Sequence, residues 1–503
     1  MVLVKSQGSS YRKGKEAISD PPAALGVGEE AKYSESEHSD EEELQRDPDS
    51  ECAPLIDPWY DVHPHFPKIP GDYAPPPPGR VWLALCQRNP DVSWAPLTSS
   101  IPDLVIRQGI SLPVPIHFEF RSGTTLGWRE WVNNELSDVG FMRLLQRADV
   151  LKAIVSSCCL SNFRGLYNLH RLVYRWCTTT HTFFFSYGEL TVTLEDVANQ
   201  LLLPILGDVD PATLEFSPEE EAIETKLKKR MIGNAKLSYW VSSSSKFSVA
   251  ARRAAFVAFL VCKFVFGSHP HYAIKPLNFH LAIKISAGVS LSLAPMFLGH
   301  LYVQIDIQRS DESQAGSCHI VTSSVHSTVL QQLLFERCAQ YLAKCRPARF
   351  AKEKYQSCSR AITDFCGKFK SDFLLAFRWS GLKPIGYFVV ESFDEGVGFS
   401  WKAYRNLGVN YTCIDSAMGL FVNTVGSTTP LAGFDEVGIT YLAATNVGWL
   451  PYLADEGIRF VHYPANQVRR QFGLDQDILD DLSFLMESPT SARLFLWHTA
   501  FEF

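Results

Sequence analysis

The stretch HTFFFSYGELTVTLEDVANQLLLPILGD, residues 181–208, sets an aromatic run, a turn, an acidic pair and a leucine run in that order. Phe183 to Phe185 predict an extended segment. Tyr187-Gly188 predicts a turn, and Thr191 and Val192 are β-formers. Thr193 is suited to cap a helix, with Asp196 at the third helical position, from which an acid reaches back to the cap's N–H. Glu195 and Asp196 also sit in the first turn, where the helix dipole favours negative charge by about 0.5 kcal/mol each. Leu194, Val197, Ala198 and Leu201 share a face, and Pro204 ends the helix. The acids therefore have a structural task, capping, which is favoured over general acid/base work. His181, just before the aromatic run, is read as a hydrogen-bonded structural histidine rather than a catalytic base.

Outward from this cassette the pattern is mainly helical. WREWVNNELSDVGFMRLLQ (128–146) spaces Trp131, Leu136, Val139 and Leu144 helically, and residues 149–176 carry two further helical patterns. SPEEEAIETKLKKRMIG (217–233) has acids early, bases late and Gly233 as a stop. AAFVAFLVCKFVF (254–266) predicts a core helix, too short for a membrane span. Residues 281–305 read as two apolar helices broken near Gly288. STVLQQLLFERCAQYLAKC (327–345) reads as one amphipathic helix with Leu330, Leu333, Leu334, Cys338 and Tyr341 on one face. Strand signals are confined to 183–185, 385–390 and 458–463. The expected fold class is mainly α with small β elements, one large globular unit spanning residues 81–485.

Before that unit, residues 1–53 read as a disordered acidic tail. Eleven acids face Lys32 and Arg46 between Glu29 and Glu51, a local −9 in a chain totalling −7, which leaves the rest near +2. A body this close to neutral lacks the basic footprint of an electrostatic nucleic-acid binder. Within SEHSDEEE (36–43), Ser39 precedes four acids and is a candidate phosphosite. Residues 54–80 form a proline-rich linker, and 486–503 a C-terminal extension. The twelve cysteines include no C-x-x-C pair, so they predict reduced, mostly buried thiols. MVLVKSQGSSYRKGK has no apolar signal core, and no membrane contact is expected.

A pyridoxal-dependent aminotransferase needs a Schiff-base lysine and a phosphate cradle. Lys275 is available, but no Gly/Ser-rich loop precedes it. The metallophosphatase phrases are absent, with GDVDP (207–211) the nearest echo. T-x-x-D-V-A-x-x-L suggests the first helix of a helix-turn-helix, without a basic second helix to follow. KLKKR (226–230) is a weak nuclear-import candidate on what reads as a solvated helix face. In VRRQFG, Phe472 anchors, Gly473 caps, and Arg469 and Arg470 either pair with acids or face a partner.

The same residues resemble a known signature, that of the plant mobile domain. Trp176, the phrase Thr180-His181-Thr182-Phe183, Gly188-Glu189 and Thr193-Leu194-Glu195-Asp196-Val197 stand in its order. Residues 277–306, with Pro295, look like its Leu-Ala-Pro helix pair. LQQLLFER (330–337), ending in Glu336-Arg337, resembles its Q-x-W-x-W-E-R helix. YPANQVRRQFGLDQDI (463–478), with Arg470, Phe472 and Gly473, resembles its R-Q-F-G-x-x-Q-D ending. Leu333, Phe335 and Cys338-Ala339 depart from the pattern, as in a divergent branch with an altered local surface.

The resemblance implies a protein often labelled aminotransferase-like, found in host genes and transposable elements. It further implies a nuclear, non-catalytic role through protein contacts in transposon silencing, genome stability and developmental maintenance. The implied partners are a related plant mobile domain protein or a phosphatase-like subunit, with no cofactor and no metal. A transposon-derived DNA-binding or recombinase-related protein is the alternative, and a pyridoxal-dependent enzyme is disfavoured.

Overall fold

The computed structural model describes residues 115–120, 125–158, 160, 164–185, 188–314, 320–338, 375–380, 382, 399–405, 411–415, 436–474, 495 and 496. The expected acidic tail with Ser39, the proline-rich linker, the strand at 385–390 and most of the C-terminal extension lie outside them. All described residues belong to one unit, Pro54–Phe503, and that unit is mainly helical with small β elements.

Strand β1 (Ile116–Phe118) leads into helices α1 (Trp128–Leu136), α2 (Val139–Arg147), α3 (Leu151–Ser157) and α4 (Leu166–Tyr174). The expected continuous helical spacing over 128–146 is broken at Ser137-Asp138. Asp138 starts a new helix by accepting from Phe141 N at 3.1 Å, and this leaves Val139 exposed rather than in the core. Strands β2 (Trp176–Cys177), β3 (Thr182–Phe185) and β4 (Gly188–Leu190) form an antiparallel three-stranded sheet with Phe183 facing Trp176 and Leu190. Helix α5 (Leu194–Gln200) follows.

Helix α6 (Pro218–Gly233) starts as its sequence dictates. Ser217 N donates to Glu220 Oε2 at 2.8 Å, Pro218 occupies the first turn, and Glu220 N returns a bond to Ser217 Oγ. Lys226, Lys228 and Lys229 face solvent while Leu227 is buried. Next come α7 (Leu237–Ser242) and α8 (Val249–Leu260), which extends into a π-helical turn, Val261–Val265. Alanine alternating with bulky residues lets α8 be buried almost all round, with Trp128 stacked on Phe256 and Phe259 at 5.0 and 4.5 Å between ring centroids.

Helices α9 (Phe279–Ser286) and α10 (Leu293–Gln314) are separated where Gly288 turns the chain, as expected. Strand β5 (Val321–Ser323) pairs in parallel with β1, and α11 (Ser327–Arg337) follows. The expected helix over 327–345 stops early. Arg337 O accepts from Ser400 N at 2.7 Å, and Cys338 is extended and bridged to Phe399, so pairing with this distant segment ends the helix at Arg337. Tyr341 lies outside the described residues. Nor is α11 one-sided: Ser327 through Phe335 are all buried, because the helix is walled in by the domain. The departures Leu333, Phe335 and Cys338 therefore lie in the interior, with Phe335 against Trp379, and not on an altered surface.

Helix α12 (Leu375–Trp379) and α13 (Glu436–Thr445) precede a hairpin of β6 (Gly448–Ala454) and β7 (Gly457–Tyr463), and α14 (Arg469–Phe472) ends the described fold apart from Phe495 and Leu496. Long helix α10 is the spine. It contacts α5 on one side and both hairpin strands on another.

Candidate functional site

The cassette around Thr193 is held by residues from every later part of the chain. Thr193 N donates to Asp196 Oδ2 at 2.9 Å and Asp196 N donates to Thr193 Oγ1 at 3.2 Å, closing the predicted capping box. The other carboxylate oxygen, Oδ1, accepts from Arg337 Nη2 at 2.9 Å and from the Tyr404 hydroxyl at 2.7 Å. Tyr404 in turn accepts from Gln200 Nε2 at 2.8 Å. Arg337 spends another donor on Trp401 O at 2.5 Å, and the Arg470 guanidinium lies over the Trp401 ring, 5.9 Å from its centroid. Burial disfavours the Arg337 cation, but Asp196, Tyr404 and Glu195 outweigh it and raise its pKa. Instead of decorating an exposed first turn, both acids of the turn are buried. One arginine between them leaves Glu195 unfavourable as an anion: burial first, then neighbouring Asp196, drives its pKa well up against the pull of Arg337.

A second cluster surrounds His181. This residue has φ +53°, a conformation costly for a side chain with a Cβ. It is held by His181 N donating to Cys177 O at 2.9 Å and by the Thr191 hydroxyl donating to His181 O at 2.8 Å. Its ring stacks on Tyr302 at 5.5 Å, and Nε2 lies 3.2 Å from Asp306 Oδ2. The other Asp306 oxygen accepts from Trp176 Nε1 at 2.7 Å. Tyr302, one turn earlier on α10, donates to Val192 O at 2.8 Å. His181 and Trp176 thus grip one carboxylate on the spine helix.

Glu189 faces inward on β4 and accepts from the Thr182 hydroxyl at 2.5 Å. Burial raises its pKa to about 7, opposed by the hydrogen bonds of Thr182 and Thr180. Glu336 accepts from Trp379 Nε1 and, at 3.2 Å, from Arg378 Nη1, and burial likewise lifts it to about 7. Pro295 lies in the first turn of α10, where its missing N–H costs no helical bond. Phe472 is buried, and Gly473 closes α14 at φ +83°, as read from VRRQFG. Burial lowers the pKa of Arg470, which is half-buried against Trp401 rather than paired with an acid in that contact.

Several signature residues meet in two neighbouring networks, one centred on the buried Asp196 and one on the partly exposed Asp306. His181, Glu189 and Asp196 do not converge: each has its own set of partners. Asp306 and Tyr302 went unnamed although they lie within the quoted 277–306 stretch, and their helical spacing from Pro295 was the available signal. Gln471 was missed too. Its Oε1 accepts from Thr191 N and its Nε2 donates to Thr191 O, both at 2.8 Å. Nothing in the sequence marks Tyr404. Lys275 donates its ammonium to His269 O, and the GDVDP phrase forms a turn in which Asp210 accepts from Ala212 N at 2.9 Å. Among the described residues no group of three or more His, Cys, Asp or Glu side chains is arranged to hold a metal, and no helix is long and apolar enough to cross a membrane.

The domain is mainly helical, and the signature residues Trp176, His181, Thr193, Asp196 and Arg337 are held by hydrogen bonds within it. The plant mobile domain profile matches residues 155–493, which span both networks, and the chain belongs to the plant mobile domain family. No curated protein and no solved structure matches it.

Proposed function

We propose that this chain is a non-catalytic nuclear protein that acts through protein contacts. Its role would lie in transposon silencing, genome stability or developmental maintenance, beside a phosphatase-like subunit or a related plant mobile domain protein. The observation that supports this reading is the engagement of Asp196. Its two oxygens accept from Thr193, Arg337 and Tyr404 inside the protein. A general acid or base must instead reach a reacting group. The nuclear and silencing parts of the reading come from family membership, and the exposed lysines of KLKKR on α6 are its import candidate.

Affinity purification of the tagged full chain from nuclei tests the reading. It predicts recovery of a phosphatase-like subunit or of a second plant mobile domain protein in stoichiometric amount. Recovery from cytosol alone, or of the chain by itself, would overturn it. Sub-micromolar binding to duplex DNA at physiological salt, falling steeply with added salt, would replace it with a DNA-binding role. A stoichiometric, borohydride-trapped pyridoxal phosphate adduct would replace it with an enzyme.

A further inference from the structure

Helix α6 is held to the domain along one edge. Of its 16 residues only Leu227 is buried, and the helix packs on α8 and α9. The opposite side is open. Pro218, Ala222, Thr225, Lys229 and Ile232 are all exposed, Ile232 to 83 %. Along the chain these positions step by four, three, four and three residues, the spacing of a seam between paired helices. Ala222 and Thr225, both small, stand at its middle, where two helix axes can approach to about 8–10 Å.

The charges beside this seam are sorted by sign. Glu219 and Glu221 lie in the first turn, Lys226 and Lys229 in the second half of the helix. The helix dipole accounts for the acids. It does not account for these lysines, because its influence is confined to the terminal turns and the base in the last turn is Arg230. A solitary surface helix gains instead from opposite charges three or four residues apart. Lys228 has such a partner, Glu224 Oε1 at 2.8 Å. Glu219, Glu221, Lys226 and Lys229 have no opposite charge at that spacing, and among the described residues none of the four is ion-paired.

We propose that this chain self-associates through α6, two copies laying the helix antiparallel about a twofold axis at Thr225. Lys229 lies four residues after Thr225 and Glu221 four before it, so in that arrangement each Lys229 stands level with Glu221 of the other copy. Ile232 and Pro218, seven residues to either side, meet in the same way and cover the exposed isoleucine. The acidic half of each helix thus lies along the lysine half of its mate, and the two dipoles oppose. A parallel pair would set acid on acid and lysine on lysine. One pair of helices about 24 Å long is a small contact, which calls for a micromolar rather than a nanomolar dissociation constant. The inference is independent of the nuclear role proposed above, and its test needs only purified protein.

Sedimentation velocity of the purified full chain should show a monomer–dimer equilibrium at low salt, with the dissociation constant raised about tenfold or more at about 1 M salt. Lys226→Glu with Lys229→Glu makes the face wholly acidic and should leave a monomer. Glu219→Lys with Glu221→Lys makes it wholly basic and should do the same. Mixing the two variants should restore a dimer containing one of each. Circular dichroism reports whether the glutamate reversals unsettle the helix start; the lysine reversals decide the matter alone if they do. A chain that is monomeric at every concentration, a dimer indifferent to the lysine reversals, or a mixture of folded variants that stays monomeric overturns the proposal.

Discussion

Arg337 Nη2 donates to Asp196 Oδ1 at 2.9 Å across 141 residues of chain, and both side chains are wholly shielded from solvent. Removing one partner of such a pair leaves the other charged and unmatched. Arg337→Met should lower unfolding free energy by about 3–5 kcal/mol. Asp196→Asn combined with Arg337→Met should cost less than the sum of the single changes, since the stranded charge is gone. Urea unfolding of the four proteins checks this. A single-substitution loss below about 1 kcal/mol for Arg337→Met would show that the pair does not hold α5 in place.

Thr193 tests the local half of the same arrangement. Thr193→Ala removes the hydroxyl that accepts from Asp196 N and should cost about 1–2 kcal/mol, whereas Thr193→Ser should recover most of it. Equal losses for the two variants in thermal unfolding would assign the effect to the lost methyl packing and not to the cap.

Glu189 supplies a pH dependence whose sign can be fixed in advance. Its folded pKa is raised by burial from an ordinary 4.5 to about 7. Below 4.5 both states hold the proton, and the group contributes nothing to the slope. Between 4.5 and 7 the unfolded chain releases the proton while the folded one keeps it, so stability falls as pH rises, and it levels off above 7. Glu189→Gln can still accept from Thr182 and does not titrate. The variant should gain on wild type as pH climbs from 4.5 to 7, by on the order of 3 kcal/mol at the top. A difference between the two melting curves that stays constant with pH would refute the assignment.

Gly299 on α10 is where the spine meets the hairpin. A Cβ built there would lie 2.8 Å from Pro451 O, a backbone atom of β6 that has no rotamer to change. Gly299→Ala should therefore cost about 1–3 kcal/mol. Gly233→Ala, with nothing within 4 Å, should be neutral or stabilising by up to about 1 kcal/mol through helix propensity. Chemical denaturation of both variants distinguishes steric contact from a general intolerance of substitution.

The features legible in the sequence are those decided within a few residues. The cap at Thr193 follows from a side-chain to backbone bond three positions apart, and the break at Gly288 and the stop at Gly473 from the positive φ that glycine takes at little cost. The burial of Glu195 and Asp196 does not, because it depends on Arg337 and Tyr404, which periodicity cannot place. The same reason explains α11: its amphipathic spacing extends past Arg337, but a bond from Ser400 ends it. Strand β7 was readable from IRFVHY, while its partner β6 was not, since GWLPYLA (448–454) contains a proline and gives no clean alternation. The candidate site was legible as a set of residues and not as a pair of networks, because the bonds of Asp306 and Gln471 reach more than 120 residues along the chain.

The two-point clasp between Thr191 and the side-chain amide of Gln471 joins positions 280 residues apart. During synthesis at roughly 5–20 residues per second, the glutamine would be added on the order of tens of seconds after the threonine. Until then a fragment ending short of that position exposes a hungry backbone edge beside three phenylalanines. A chain cut short of Gln471 would lose both bonds at Thr191, so the last motif closes an edge that the earlier cassette leaves open.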